Sequence, residues 1–232
     1  MSNPIDDVQR LIDEYLASHH DVTILEAGCG SMSKVNFGVN ARTVGIDISE
    51  QQLRRNTELD EKILGDLHTY PLPQKNFDII ICWDVLEHLE GPRQVLRNFF
   101  EACKPGGLII LAFPNLYSFK GVITKLTPHR VHVWYYKYLL GVKDAGTKDT
   151  CPFPTPFRLA IAHTKIKKLA EQHHVAVEFF SFRESGDMRF LRQSYFVLNT
   201  LFNFVSVFSR ALTLGMLDAI NSDCVMVLRR NP

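Results

Sequence analysis

An α/β domain built on a parallel sheet is the fold that the sequence predicts, and three observations predict it. Short apolar runs alternate with helical patterns, most of the runs are apolar on both of their faces, and the residues that close them are acids or glycines. Strands buried on both faces are those of parallel sheets covered by crossover helices. The 232 residues fit one large domain, 1–232, and 46% hydrophobic content supports a substantial core.

The elements follow in order. Residues 5–17 place Ile5, Val8, Leu11, Ile12, Tyr15 and Leu16 at helical spacing with acids between them, which predicts an amphipathic leading helix over a sheet edge. The first strand, VTILEA (22–27), ends in an acid and is followed by Gly28 and Gly30. RTVGI (42–46) is the second strand. Only 11 residues separate Gly30 from Arg42, too few for a helix with its turns, so the first crossover is irregular. SEQQLRRN (49–56) is a polar helix, and KILG (62–65) and FDIIIC (77–82) are strands. PRQVLRNFFEAC (92–103) carries Val95, Leu96, Phe99 and Phe100 on one helix face; KPGG breaks it, and LIILAF (108–113) is the fifth strand.

Residues 114–160 interrupt the rhythm with prolines at 114, 128, 152, 154 and 156 and with Tyr117, Phe119, Trp134, Tyr135, Tyr136, Tyr138, Phe153 and Phe157. So long and aromatic an insertion reads as a lid or binding region. The alternation resumes with a helix near 163–173, the strand VAVEFFSF (175–182), an apolar helical insertion (188–220) and a last strand, CVMVLRR (224–230). Within the second insertion, residues 193–209 carry no charge. Asn199, Asn203, Ser206 and Arg210 form a narrow polar stripe on a helix whose remaining positions, Phe196, Val197, Leu198, Leu201, Phe202, Phe204, Val205, Val207 and Phe208, are apolar. Either this helix packs in the core, or it is an exposed surface for peripheral membrane contact or a homodimer; its interrupting polar residues disfavour a span.

Basic and acidic residues number 26 and 25, so the overall charge of a nucleic-acid binder is missing. Five scattered cysteines without a CxxC pair indicate reduced thiols, with neither a zinc site nor a disulfide framework. The first residues lack a basic segment followed by an apolar one, from which a cytoplasmic location is expected, membrane association aside.

In an open parallel sheet the ligand lies beyond the carboxyl ends of the strands. Those ends are Glu26 with its glycine turn, Asp47, Asp66-Leu67 and Trp83-Asp84-Val85. Where a dinucleotide turn has its third glycine, this chain has Ser33, and Glu26 would repel a phosphate while attracting a cation. A nucleoside carrying an amine and a positive centre suits the set. The E-x-G-x-G turn, GIDIS, GDL, FDIIICWDVLEHL and KPGG resemble the class I S-adenosylmethionine-dependent methyltransferases of small molecules, strongly over residues 20–113. The resemblance implies a Rossmann-like sheet of seven strands, mostly parallel, with helices on both faces, an antiparallel last strand and helical lid insertions. It also implies S-adenosyl-L-methionine as cofactor. Gly28 and Gly30 would admit its methionine portion, Glu26 would organise the amine, Asp47 would bind the ribose, and Ile48 beside it would be a further cofactor-binding residue. Asp66 and Leu67 would frame the adenine, Trp83 would pack against the cofactor or the core, and Asp84 would face it.

An acceptor that must lose a proton needs a base. His129 and His132, in TPHRVHVWYY, lie among the lid aromatics and are the first candidates, with His88 next and a structural role for Glu87 and His88 as its alternative. Their spacing brings no companion acid or cysteine, so no metal is assigned. His163, His173 and His174 read as solvated, as do Lys120 and the other lysines of the insertion. The expected activity is methyl transfer to a small, largely apolar acceptor, foremost at oxygen. The alternatives are a small-molecule N-methyltransferase and a non-catalytic cofactor-binding partner subunit. Nucleic-acid methylation is disfavoured by WDVL in place of N/D-P-P-Y/F, and a nicotinamide oxidoreductase by Glu26 and Ser33.

Overall fold

The computed structural model describes residues 4–38, 41–147, 150–153, 155–156, 158–213 and 220–232; the side chains of Phe119, Leu191, Val197, Leu198 and Arg210 fall outside it, as do Pro154 and Phe157. Seven strands form one sheet: β1 (Val22–Ala27), β2 (Ala41–Asp47), β3 (Glu61–Leu64), β4 (Phe77–Trp83), β5 (Cys103–Pro114), β6 (Val175–Arg183) and β7 (Asp223–Arg230). Their order is β3-β2-β1-β4-β5-β7-β6. Only β7 runs antiparallel, to both β5 and β6, as expected for the last strand.

Strand residues alternate between two cores, as the two-residue period requires. Leu25, Ile80, Cys82, Ile109, Leu111 and Phe113 face one side, where α3 (Pro92–Ala102) presents Val95, Leu96 and Phe99 and α6 (His163–Gln172) presents Ile166 and Leu169. Ile24, Ile79, Ile81, Leu108 and Ile110 face the other, against Val8, Ile12 and Tyr15 of α1 (Pro4–Ser18). The leading helix packs on this face and runs nearest to β7 and the edge strand β6, so the expected cover of a sheet edge comes from a helix that lies across one face there. The first crossover holds no helix in its described part, as its length required. Gln9 of α1 fixes it instead, donating to the Asn36 carbonyl at 2.7 Å and accepting from the Asn36 amide at 3.0 Å, while Val35 and Phe37 are buried beneath.

α2 (Glu50–Arg55) is capped by the Ser49 hydroxyl, which accepts from the Gln52 amide. KPGG does not break α3 from β5 as the sequence suggested. The strand begins at Cys103, and the four residues form a bulge whose register passes from Phe77↔Cys103 to Ile79↔Leu108. A side chain at Gly107 would meet the Asp78 carbonyl at 2.6 Å, so glycine is what lets β5 close on β4 there.

The long insertion after β5 contributes α4 (Phe119–Leu126), capped by Ser118, and α5 (His129–Tyr138). The second contributes α7 (Gly186–Ser194) and α8 (Phe196–Leu212). β5 and β6 end, and β7 begins, at the same edge of the sheet, so both insertions leave from the edge at which Glu26 and Asp47 lie. Among the described residues no helix is long and apolar enough to cross a membrane.

Candidate functional site

One cleft of about 1310 Å³ runs along that edge, from the glycine turn to the helical insertions. At the turn, the Gly28 amide donates to the Ile46 carbonyl at 2.8 Å, and the backbone has a φ of +73°, which a side chain rarely adopts. Asp47 holds the turn from the other side: its Oδ2 accepts from the Gly30 amide at 2.9 Å and its Oδ1 from the Ser49 amide at 2.8 Å. Each oxygen keeps a lone pair for a ligand. Glu26 is 5% exposed and accepts from the Ser33 hydroxyl at 2.6 Å. Burial raises its pKa against the pull of that bond. Ser33, notable in the sequence only as a missing glycine, is thus the group that orients the acid.

Further along, Ile48, 75% exposed, and the buried Leu67 both line the cleft, two apolar surfaces suited to a flat ring. The Asp66 Oδ1 accepts from the His68 amide at 2.9 Å and bonds its Nδ1 at 2.8 Å, and the His68 backbone and ring hold the carboxyl below its usual range. Trp83 belongs to the core on the α1 side and also lines the cleft.

The middle of the cleft is a cluster of ionisable groups. Asp84 takes a φ of +55°, an uncommon conformation that turns the chain out of β4, and its carboxylate is walled by protein yet half open to the cleft. Arg183, at the end of β6, lies 3.1 Å from Asp223, 3.8 Å from Asp84 and 5.4 Å from the centre of the Trp83 ring. Lys120 of α4 reaches Asp187 at 2.8 Å and the Ser185 hydroxyl at 3.0 Å, which corrects its reading as a solvated lysine. Burial raises the pKa of Asp84 against the pull of Arg183, and that of Asp223 to about 6 against Lys120 and Arg183. Glu87 is pushed well up by burial and by Asp84. Asp187, which burial alone would raise, is held below the usual range by Lys120. Glu87 Oε2, Arg183 Nε and Asp187 Oδ2 are buried in the cleft wall without a hydrogen-bond partner. Such atoms suit a polar ligand.

The histidines separate. His132 and His88 line the cleft, the latter edge-on to Phe153 at 5.9 Å, whereas His129, at the first turn of α5, is not among the lining residues. His129 faces His132 edge-on at 6.2 Å, and its buried Nδ1 has no hydrogen-bond partner. Burial, then His129, lowers the His132 pKa, so the ring is neutral at pH 7. Its Nε2 lies 2.7 Å from the Thr127 hydroxyl, which is also 2.8 Å from the Ile123 carbonyl. With the hydroxyl proton on that carbonyl, Nε2 donates and the lone pair falls on Nδ1. His163 is not solvated: it stacks on Phe180 at 5.2 Å, and burial lowers its pKa. Among the described residues no group of three His, Cys, Asp or Glu side chains is arranged to hold a metal ion.

Arg183, Asp187 and Asp223 escaped the sequence reading, which examined the ends of the first four strands only, and Lys120 was read as solvated. The same rule applied to RESGD after β6 and to the start of β7 would have found three of them.

Residues 25–111 match the family model described as "Methyltransferase domain". A probable S-adenosylmethionine-dependent methyltransferase of Mycolicibacterium smegmatis is 31% identical over 45% of this chain and 43% of its own. A ubiquinone biosynthesis O-methyltransferase of Thiobacillus denitrificans is 25% identical over 59% of this chain and 60% of its own. The chain thus spans about half the length of these curated relatives. A solved S-adenosylmethionine-dependent methyltransferase from Methanosarcina mazei has the same fold, with a TM-score of 0.56 and 14% identity over 95% of this chain and 97% of that one.

Proposed function

We propose, since residues 25–111 match a methyltransferase domain, that the protein is a class I S-adenosylmethionine-dependent methyltransferase that methylates a hydroxyl of a small, largely apolar acceptor. The observation that carries the proposal is one continuous cleft, which joins the acidic, glycine-turned cofactor end to an aromatic end walled by Tyr135, Tyr136 and Phe153. In this reading 20–113 holds the cofactor, 114–160 is the acceptor lid, and 188–220 completes the cleft rim.

The residues at the cofactor end fit S-adenosylmethionine. Asp47 keeps lone pairs for the ribose, Ile48 and Leu67 offer apolar walls to the adenine, Glu26 can accept from the amine, and Gly28 leaves no room for anything but backbone at the turn. When bound, the cofactor supplies a methyl group made electrophilic by its sulfonium. The chain must then align the acceptor, keep water out and, for a hydroxyl, remove its proton. His132 is suited to the last task, being neutral and holding its lone pair on Nδ1. Asp84, Glu87 and Arg183 offer the polar anchors of an otherwise apolar pocket. The O-methyltransferase name of the Thiobacillus denitrificans relative supports oxygen as the accepting atom.

The test is His132→Ala, assayed with radiolabelled cofactor and a panel of lipophilic phenols and the matching amines. Turnover of the best phenol should fall ~10²–10⁴-fold with cofactor affinity intact, as expected on losing a general base. A rate within twofold of wild type removes His132 from the chemistry, and turnover of amines alone removes oxygen.

A further inference from the structure

We propose that the two helical insertions dock the protein on an anionic membrane surface. α8 is inside out. Asn199, Ser206 and Ser209 face inward, with Ser206 buried and the Asn199 amide oxygen accepting from Arg192 Nε of α7 at 3.0 Å. The apolar arc faces solvent, with Phe196 82%, Phe204 69%, Val207 72% and Leu212 68% exposed. The lid helices do the same with Leu126, Trp134 and Tyr138. Both insertions leave the same sheet edge and border the same cleft, to which α8 contributes Phe202, so their exposed faces flank one mouth.

Charge identifies the occupant. Residues 115–143 hold five basic residues and no acid, and residues 188–217 hold three arginines and no acid. All 25 acidic residues lie outside these two segments, with the 18 basic residues that remain of 26. A chain that is nearly neutral as a whole is therefore cationic where it is apolar and anionic elsewhere. Lys125, Arg130 and Lys143 have no carboxylate within ion-pair distance among the described residues, although acids are plentiful on the rest of the surface. A second copy would bring the same cations to face these, whereas anionic headgroups neutralise them while the Phe and Trp side chains enter the acyl boundary. Since no described helix can cross a bilayer, the insertions lie on the surface. Docking does not depend on which acceptor is methylated.

The experiment is co-sedimentation with vesicles of phosphatidylcholine alone and of phosphatidylcholine mixed with phosphatidylglycerol, at low and high salt, alongside sizing in solution. Wild type should bind the anionic vesicles only, and salt should release it. Lys125→Gln with Arg130→Gln should weaken partitioning about 25-fold, about fivefold per charge. Phe204→Ser with Phe208→Ser should weaken it at least about tenfold. Both pairs are exposed and away from the cleft lining, so unchanged cofactor affinity certifies folding. Wild type left in the supernatant, or binding indifferent to both pairs, overturns the proposal. So does a dimer that the phenylalanine pair dissociates in the absence of vesicle binding, which would make the occupant a second copy.

Discussion

Replacing Gly28 by alanine isolates what the cofactor turn demands of the backbone. A methyl group built there would stand 2.8 Å from Val85 Cγ1, 3.1 Å from Val85 Cβ and closer still to Val85 Cγ2. Two costs add. The φ of +73° costs an L-residue roughly 1–2 kcal/mol, and crowding a packed site costs roughly 1–3 kcal/mol. Their sum, ~2–5 kcal/mol, is a large part of the ~5–15 kcal/mol that holds a domain folded. The two parts can be separated, because Val85→Ala removes the two nearest atoms, Cγ1 and Cγ2, and leaves only Cβ at 3.1 Å. Urea unfolding of wild type, both single variants and the double variant should give a coupling of ~1–3 kcal/mol, with ~1–2 kcal/mol left as the backbone's share. Cofactor affinity should fall in Gly28→Ala and recover in part with Val85→Ala. A destabilisation below ~0.5 kcal/mol, or no coupling, would refute the account of the turn as both left-handed and closed by Val85.

Two further outcomes follow from the charges. Asp47→Ala should lower cofactor affinity by ~1.5–3 kcal/mol, roughly ten- to a hundredfold by calorimetry, and an unchanged value would remove Asp47 from the site. Burial raises Asp223 from near 3.8 to about 6, so folding takes up a proton between those values; that share of stability is present below pH 4 and lost as the pH rises through 6. Asp223→Asn should therefore gain on wild type by up to ~3 kcal/mol between pH 4 and pH 7 in urea unfolding. A difference independent of pH would contradict the shift.

The sheet was legible because its signals are local. Apart from the short, exposed β3, each of β1 to β5 carries an apolar run whose closing residues lie at the cleft edge, and Glu26, Asp47, Asp66 and Asp84 could be read from position alone. What escaped depends on tertiary arrangement. Arg183 and Asp223 lie 40 residues apart and meet only because β6 and β7 pair across a long insertion. Of the polar stripe that the sequence revealed on α8, Asn199 and Ser206 turn inward while Asn203 is exposed, and Asn199 meets Arg192 on a neighbouring helix, which no periodicity encodes. KPGG reads as a break by composition and is a bulge because glycine lets two strands approach. His129 and His132 were indistinguishable in the sequence, and the helix start separates them: a three-residue offset leaves one on the cleft and the other off its lining.

The register of the last hairpin places Arg183 directly opposite Asp223, and the whole second insertion leaves and returns between those two residues. The ladder, and not the insertion, fixes their distance. Lengthening a loop between clamped ends costs only a logarithmic increment of closure entropy, about 0.6 kcal/mol for each doubling. The ion pair in the cleft is therefore insulated from whatever sequence is threaded between its two halves. Such a hairpin works as a cassette holder: the helices it carries can be exchanged, shortened or redesigned, and with them the shape and wetting of the cleft mouth, while the charged anchor beneath stays in place.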